Sequence, residues 1–205
     1  MNEPVKQYDF GDKVLKIYRD ETEEGPRGWD NLGKMVCFHP NYNLGDKHDL
    51  KKDSFQSWDA IREHLVKEEK AIAILPLYLY DHSGITMNTT GFSCPWDSMR
   101  VGFIYTTKER VEKMCGKAKK YYKTKWLEEQ LNGEIKTYDQ YITGDVYGFV
   151  IEKKETCDKC KHTENIQEDS CWGFYGSSIK ENGMIDHFSK EMKKAILDGT
   201  AKKVV

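Results

Sequence analysis

Several features that would assign a function directly are missing from this sequence. No apolar run approaches the ~20 residues that a membrane-spanning helix needs. No Gly-x-Gly-x-x-Gly motif, Walker loop or His-Glu-x-x-His motif occurs, so ordinary dinucleotide, P-loop nucleotide and metalloprotease sites are not supported. The zinc-deaminase signature is missing too, because no proline precedes Cys157 and Cys160 and the proline near Cys94 follows it.

The sequence also lacks a strong net charge and an apolar leader. Its 32 Lys and Arg residues nearly balance 34 Asp and Glu residues, for a formal net charge of −2. This balance favours neither a general nucleic-acid binder nor an acidic mimic of DNA. The first residues contain no apolar secretory core, so we expect a cytoplasmic protein with no membrane association.

The chain contains six cysteines, although its first residues show no secretory signal. In a protein kept inside the cell, reduced thiols, a metal site or one reactive cysteine are better expectations than disulfides. Aromatic residues make up 12% of the 205 residues, which indicates a folded chain. A chain of this length buries roughly 70% of the surface that its unfolded form exposes. We therefore predict one domain over residues 1–205, with an ordered core at 12–198.

The densest apolar segments predict the centre of the fold. Residues 72–80 and 101–105 are apolar runs without polar alternation, as expected of strands buried on both faces of one sheet. Pro76 lacks an amide hydrogen, so it predicts a bulge or an edge at that point. The polar segment between the two runs is predicted to be a loop at the end of the sheet, and the first place to look for a functional site.

Hydrophobic periodicity and capping residues predict the other elements. Helices are predicted at 54–70, at 107–131 and at 178–197. The second is expected to start from a Thr106-x-x-Glu109 capping box, to be weakened at Gly116 and to end at Asn132-Gly133. Further strands are predicted at 13–19, 34–39, 145–153 and 170–175, with a polar excursion at 155–169. Adjacent strands without intervening helices favour an α+β fold: one central mixed or antiparallel sheet of about five or six strands, with three main helices.

Long and unusual motifs give the chain a resemblance to a viral family. It resembles uncharacterised proteins of bacteriophages and other prokaryotic viruses over about residues 29–187. The motifs that carry the resemblance are WDNLG with MVC at 29–37, YNLGD at 42–46, LPLYLYDHSG at 75–84, FSCPWDS with VGFIY at 92–105, TYDQYITGDVYG at 137–148 and DSCWGFYG at 169–176. Met99 and Arg100 depart from the pattern, and residues 157–162 are a local elaboration.

The resemblance implies a phage or prophage origin and no particular reaction. Viral accessory proteins of this size often act against host defence. The leading hypothesis is therefore an accessory protein of anti-CRISPR or another anti-defence type, which binds a host protein or a small nucleotide ligand. This hypothesis comes from context and not from residues.

The loop between the two apolar runs suggests a cysteine-dependent hydrolase or transferase as the alternative. A cysteine nucleophile needs a base to form the thiolate and a carboxylate to orient that base. Cys94, His82 and either Asp97 or Asp81 could supply these groups within one loop. The structural alternative is that Cys94 packs as a small hydrophobic residue, Trp96 anchors the loop and Asp97 caps a turn.

The polar excursion contains the residues of a metal site. Cys157-x-x-Cys160 is a standard zinc half-site, because two thiolates in a tight turn can share one ion. His162 and Cys171 would complete an irregular set, and a structural zinc ion would then staple a small hairpin. The alternative is a lysine-rich hairpin tip with two exposed thiols that are liable to oxidise. No cofactor is otherwise indicated.

Two further patterns suggest ligands. Residues 108–126 form a basic stretch with interleaved Tyr121, Tyr122 and Trp126, which suits phosphates and bases but also a solvated amphipathic helix. Nucleic-acid binding through this stretch is the second alternative. Aromatic residues beside glycines can line a ligand cleft or belong to the core. The candidate ligand-binding residues are Trp29, Asp30, Trp96, Trp172 and Tyr175.

Overall fold

The structure is a computed structural model that describes residues 3–21, 24–94 and 96–204. Within these residues, four α-helices and nine strands form two antiparallel sheets of five and four strands. The predicted α+β class is confirmed, with the strands divided between two sheets where we predicted one. The chain divides into two compact units, described separately below: a terminal unit of residues 1–23 and 144–205, and a central unit of residues 24–143. The single-domain boundaries stay a prediction.

The terminal unit is built on the five-stranded sheet, in the order β8-β7-β2-β1-β9. Its elements are β1 (Lys6–Asp9), β2 (Lys13–Arg19), β7 (Val146–Thr156), β8 (Thr163–Tyr175), α4 (Lys190–Leu197) and β9 (Lys202–Lys203). Strands β1 and β9 lie outside the predicted ordered core. The side chains of Leu15, Phe149, Phe174 and Phe188 form the centre of its apolar core.

The longest hairpin of this unit replaces the predicted polar excursion. Strands β7 and β8 pair out to Thr156 and Thr163, so most of residues 155–169 are strand. Polar residues can fill these positions because every residue from 155 to 169 is exposed, and neither face of the hairpin is buried there. The predicted final helix was too long: its first part contains a short 3₁₀ segment at Met184–His187, and α4 starts after the capping Ser189.

The central unit is built on the four-stranded sheet, in the order β3-β6-β4-β5. Its elements are β3 (Lys34–Cys37), α1 (Trp58–Lys67), β4 (Ala71–Asp81), β5 (Ile85–Asn88), β6 (Ser98–Thr107), α2 (Lys108–Cys115) and α3 (Thr124–Ile142). The two predicted apolar strands, β4 and β6, are neighbours in the middle of the sheet, as expected. The ladder shifts register between Leu77 and Tyr78, directly after Pro76.

The helix predicted at 107–131 starts within one residue of the expected position, but the weakening expected at Gly116 is a complete break, and the predicted end is wrong. Helix α2 ends where Gly116 adopts φ +88°, a left-handed conformation that a residue with a side chain rarely adopts. Helix α3 then runs past Asn132-Gly133 to Ile142, because Leu131, Ile135 and Tyr138 continue the buried stripe that anchors it to the sheet. Tertiary burial thus outweighs the local breaker signal.

The capping residue of α2 is Thr107 and not Thr106. The Thr107 hydroxyl accepts the amide hydrogen of Arg110, whereas the Thr106 hydroxyl is buried and donates to the carbonyl of Leu32 at 2.8 Å. Thr106 is therefore part of a contact that holds the loop before β3. None of the helices in the described part of the chain has both the length and the apolar composition needed to cross a membrane.

Candidate binding groove

One loop of the central unit, residues 25–33, is held by a buried arginine. The Arg27 side chain is only 9% exposed and bonds both oxygens of Asp46, at 2.9 and 2.6 Å. It also donates to Glu134 on α3 at 3.0 Å and to the carbonyl of Gly33 at 2.8 Å. The bidentate pair with one carboxylate and the bond to a second carboxylate fix both the position and the orientation of the Arg27 guanidinium. The loop is therefore attached to the helix behind it.

The two carboxylates hold the same loop through its backbone. Glu134 accepts the amide hydrogens of Leu32 at 2.6 Å and Gly33 at 3.0 Å, and Asp46 accepts that of Met35 at 2.7 Å. Burial works against the charge of Arg27, but the hydrogen bonds and charges of Asp46 and Glu134 outweigh it, and the pKa of Arg27 lies above its ordinary value. Arg27 stays charged, and the loop is organised before any ligand arrives.

A groove of about 500 Å³ lies between this loop, the end of α2 and one face of α3. We call it the Trp29 groove. Its lining residues are Pro26, Trp29, Asp30, Asn31, Leu32, Met114, Cys115, Trp126, Glu129, Gln130, Gly133, Glu134 and Thr137. Seven of them come from the loop and α2, and six come from α3. The groove therefore forms only when loop and helices are assembled.

The floor of the groove, which is one face of α3, carries a glycine where a larger residue would fit. Trp126, Gln130, Gly133 and Thr137 lie at three- and four-residue spacing, so they share one helix face. A Cβ built on Gly133 would meet nothing within 4 Å. Glycine in a helix interior costs about 1 kcal/mol relative to alanine. Packing therefore gives no reason for Gly133, and its effect is to leave the floor of the groove open.

The chemistry of the Trp29 groove is aromatic and acidic. Trp29 is 52% exposed, and Trp126 is held in place by Tyr121, with ring centroids 5.0 Å apart. Asp30 is exposed, and the described residues give it no ion pair. Glu129 adds a second carboxylate, 4.0 Å from Lys125. Indole faces beside carboxylates attract a cation, through the ring quadrupole and through charge.

Two other cavities of the central unit are less selective. One, of about 740 Å³, is lined by Tyr105 and by four acidic and four basic side chains, so its charge is balanced. The other, of about 690 Å³, lies along residues 37–53 and also has both signs of charge. Within this second cavity, His39 accepts amide hydrogens from Asn41 and Tyr42 and so serves its own turn.

The predicted ligand residues are only partly brought together. Trp29 and Asp30 lie side by side in the Trp29 groove. Trp96 is predicted either to line a ligand cleft or to anchor its loop. Its side chain is 92% exposed, so it does neither. Trp172 and Tyr175 belong to the terminal unit, where Trp172 covers Gly148 closely and contacts Tyr18 with ring centroids 6.2 Å apart.

The predicted catalytic residues lie close together, but the carboxylate of Asp97 stands between the thiol and the imidazole, where the prediction had the imidazole next to the thiol. Asp97 is the shared neighbour: its Oδ2 lies 3.4 Å from the Cys94 sulfur and 3.7 Å from Nδ1 of His82. Asp81 holds the ends of the connection, because its amide hydrogen bonds the Asp97 carbonyl at 2.8 Å. A nucleophilic cysteine needs a base or a positive charge beside the sulfur. Here a carboxylate occupies that position, and the imidazole is 63% exposed.

The predicted metal ligands lie at two levels of the long hairpin. Cys157 and Cys160 lie in the tip, with Cys157 donating its amide hydrogen to the carbonyl of His162 at 2.8 Å. Hydrogen bonds from Cys160 lower the pKa of Cys157. Cys171 pairs with Phe149 deep in the ladder. Among the residues that the structure describes, no three His, Cys, Asp or Glu side chains are grouped to hold a metal.

The basic stretch at 108–126 is not one helix. It comprises α2, the break at Gly116, a short 3₁₀ segment at Lys119–Tyr122 and the start of α3. Lys108 and Lys117 face Glu112 at 3.7 and 3.9 Å. Tyr121, Tyr122 and Trp126 pack partly against the core, which removes ring faces that bases would stack on.

Comparison of the chain with protein-family models, with curated proteins and with solved structures gave no match. The resemblance to viral proteins therefore stays an expectation.

Sequence reasoning missed most of the groove. It singled out Trp29 and Asp30 but assigned Trp126 to a nucleic-acid surface and used Gly133 as a helix end. The signal that could have found the groove was the apolar stripe at Leu131, Ile135 and Tyr138, which continues with helical spacing across Gly133. No sequence pattern indicated that Arg27 pairs with Asp46 and Glu134.

Proposed function

We propose that this chain acts by binding a partner protein, and that the Trp29 groove receives an arginine or lysine side chain of that partner. The observation that carries the proposal is that Trp29, which is exposed, and Asp30, which has no ion pair within the described residues, are adjacent on a loop that Arg27 holds in place. A cation over an indole contributes about 0.5–2 kcal/mol, and a nearby carboxylate adds to it. Such an anchor suits one residue at the centre of a larger interface.

The charge of the groove selects between the two ligand classes expected from the sequence. Asp30, Glu129 and Glu134 line it, and the lining contains no lysine or arginine. Arg27 pairs with Glu134 from behind and Lys125 lies 4.0 Å from Glu129, so Asp30 is the carboxylate whose charge is least compensated. A nucleotide would bring phosphates next to these carboxylates, which is unfavourable. A basic segment of a host protein is the better occupant. Interference with a host defence component through that segment is the biological role that we propose.

Binding is favoured over catalysis by the geometry around Cys94. A cysteine enzyme would need the imidazole next to the thiol, and Asp97 takes that place. The Trp96 ring is also 92% exposed, so it does not cover the Cys94 sulfur. The cysteine-enzyme hypothesis therefore has the required residue types, but the described residues do not place them in the order that the chemistry needs.

The test is an NMR titration that follows the chemical shifts of the indole N–H signals of the five tryptophans. The probe is the capped peptide Gly-Arg-Gly, and the matched probe replaces arginine by citrulline, which keeps the shape and removes the charge. We expect shifts confined to Trp29 and Trp126, and binding by citrulline at least tenfold weaker. Equal shifts at all five indoles, no shift up to the solubility limit of the peptide, or equal binding of the two peptides would refute the proposal.

The glycine supplies the matched pair of variants. Gly133→Leu fills the floor of the groove without touching the loop, because the space around Gly133 is open. Gly133→Ala makes the same helix more stable and leaves most of the groove free. We expect the leucine variant to lose peptide binding and the alanine variant to keep it. Binding that survives in both variants would place the arginine elsewhere.

A further inference from the structure

The end of the β7–β8 hairpin is an arm with no core of its own. The neighbouring strand β2 pairs with β7 only as far as Lys153, and one more backbone bond joins Lys154 to Asp12. Beyond that, Glu155 pairs with Glu164 and Thr156 with Thr163, and all residues from 155 to 164 are exposed. At ~3.3 Å per residue, the tip lies roughly 13 Å beyond Lys153.

This arm is weak by itself. Two-stranded hairpins without a packed face are marginally stable in water. Glu155 lies directly opposite Glu164, a like-charge pair that opposes strand pairing. The contacts that close the arm are few: the Thr156 and Thr163 hydroxyls at 2.8 Å, and the backbone bonds across the tip. An added link at the tip would account for an ordered arm.

Two thiols are gathered at that tip. Cys157 and Cys160 lie three residues apart in one tight turn, which is closed by the backbone bonds from Lys161 to Cys157 at 2.9 Å and from Cys157 to His162 at 2.8 Å. Two cysteines at this spacing in a tight turn are the standard half-site in which two thiolates share a zinc ion. The chain offers these two ligands, and no third joins them within the described residues.

We propose that the tips of two copies of this chain share one zinc ion, each copy supplying Cys157 and Cys160. Structural zinc takes four ligands in a tetrahedron, and two such pairs supply four thiolates. A zinc ion with four thiolates carries a net charge of −2. Lys159 and Lys161 outweigh Asp158 by one positive charge in each tip, so two tips together offset the −2 of the centre, whereas without the metal the two positive tips repel. The exposed arm lets two tips meet.

The test uses the full-length, reduced, metal-free chain titrated with zinc chloride. Analytical ultracentrifugation gives its mass, and native mass spectrometry gives the number of zinc ions. We expect a dimer that contains one zinc ion per two chains. Cys157→Ser and Cys160→Ser should each abolish dimer and bound zinc, while Cys171→Ser, outside the tip, should leave both unchanged. His162→Ala should also leave the dimer intact.

Each other outcome overturns the proposal. A monomer at every zinc concentration, or one zinc ion bound per monomer, shows that the tip is not shared. A dimer that forms in the reduced chain without zinc shows that the metal does not link the two copies. A zinc dimer that persists in Cys160→Ser places the metal at other residues. None of these results depends on the Trp29 groove, so this proposal and the proposed function fail separately.

Discussion

The loop at residues 25–33 and the connection at residues 81–97 both contain residues predicted to be functional, but the contacts that hold the two loops in place differ. The first is anchored by Arg27, Asp46 and Glu134, all largely buried. The second is anchored in its first half, where Asp139 of α3 accepts from the Thr86 hydroxyl at 2.8 Å and from the Met87 amide at 2.7 Å. Around His82 and Cys94 the contacts are weaker: the Tyr42 hydroxyl reaches Asp81 at 3.3 Å, and Asp97 lies 3.4 Å from the Cys94 sulfur. The imidazole and the indole of this connection are mostly in water.

This difference separates a set of suitable residues from a site. A site needs its groups held in place by neighbours that are themselves held. Residue types alone favoured the second loop, which has a thiol, an imidazole and carboxylates within 17 positions of sequence. The buried ion pairs favour the first loop, whose chemistry is simpler. The predictions below test whether that anchoring is real and whether it matters.

Replacing the buried arginine should have the largest effect. Arg27→Met keeps the length of the side chain but leaves the carboxylates of Asp46 and Glu134 without their partner. Breaking a buried ion pair from one side costs about 3–5 kcal/mol. Urea denaturation should show a loss of that size. Arg62→Met, on the exposed face of α1, is the control and should change stability by less than ~0.5 kcal/mol. A loss below ~1 kcal/mol at Arg27 would mean that the loop is held by other contacts.

Thiol reactivity should separate the surroundings of the two loops almost as strongly, since Cys37 on β3 lies near Arg27 and Asp46, which anchor the first loop, and Cys94 lies in the second. Burial, with a further effect from the Asp46 charge, raises the pKa of Cys37 to about 12. At pH 8 this lowers the thiolate fraction of Cys37 roughly thousandfold relative to an ordinary cysteine, since each pKa unit is a factor of ten. Iodoacetamide labelling followed by mass spectrometry should mark Cys94 and leave Cys37 unmodified.

The control for this experiment is labelling in urea, where both cysteines should react. If Cys37 in the folded chain is labelled as quickly as Cys94, then the region around Arg27 and Asp46 opens readily. The contrast between the two loops would then disappear.

The elements whose residues show their burial could be predicted from sequence. Strands β4 and β6 were found because their apolar runs are continuous, and β2 because Lys13–Arg19 alternates clearly. Strand β1 was missed because its four residues are only partly buried and show no pattern. The end of α3 was misplaced because Asn132-Gly133 is a local breaker, whereas the buried stripe that overrides it depends on tertiary contacts.

The candidate site was harder to predict, for a related reason. Trp29 and Asp30 stand out by composition. Their anchor joins Arg27 to Asp46 and to Glu134, positions 19 and 107 residues away in sequence. Nothing local in the sequence marks such long-range pairs. The same limit applies to the cysteines: spacing suggested a set with Cys171, but the register of β7 and β8 separates Cys171 from the tip.

Gly133, inside α3, and Gly116, which ends α2, should respond to replacement by alanine in opposite directions. Gly133 lies inside α3 and faces open space, so Gly133→Ala should raise the free energy of unfolding by about 0.5–1 kcal/mol. Gly116 has φ +88°, so Gly116→Ala should lower it by a similar or larger amount. Thermal and urea unfolding measure both. A loss of stability in Gly133→Ala would show that the groove wall is already close-packed.

The smallest effect is expected at the centre of the second loop, and it makes the sharpest comparison. Asp97→Asn keeps the shape of a half-exposed side chain whose partners, Cys94 and His82, are both near water, so stability should change by less than ~0.5 kcal/mol. The same chemical change at Asp46 removes a charged acceptor from Arg27 and from the amide of Met35, and should cost about 2 kcal/mol or more. If urea denaturation gave equal losses for the two variants, then Asp97 would be as firmly built in as Asp46. The residues around Cys94 would then have the preorganisation that an active site requires, and the case for catalysis would be restored.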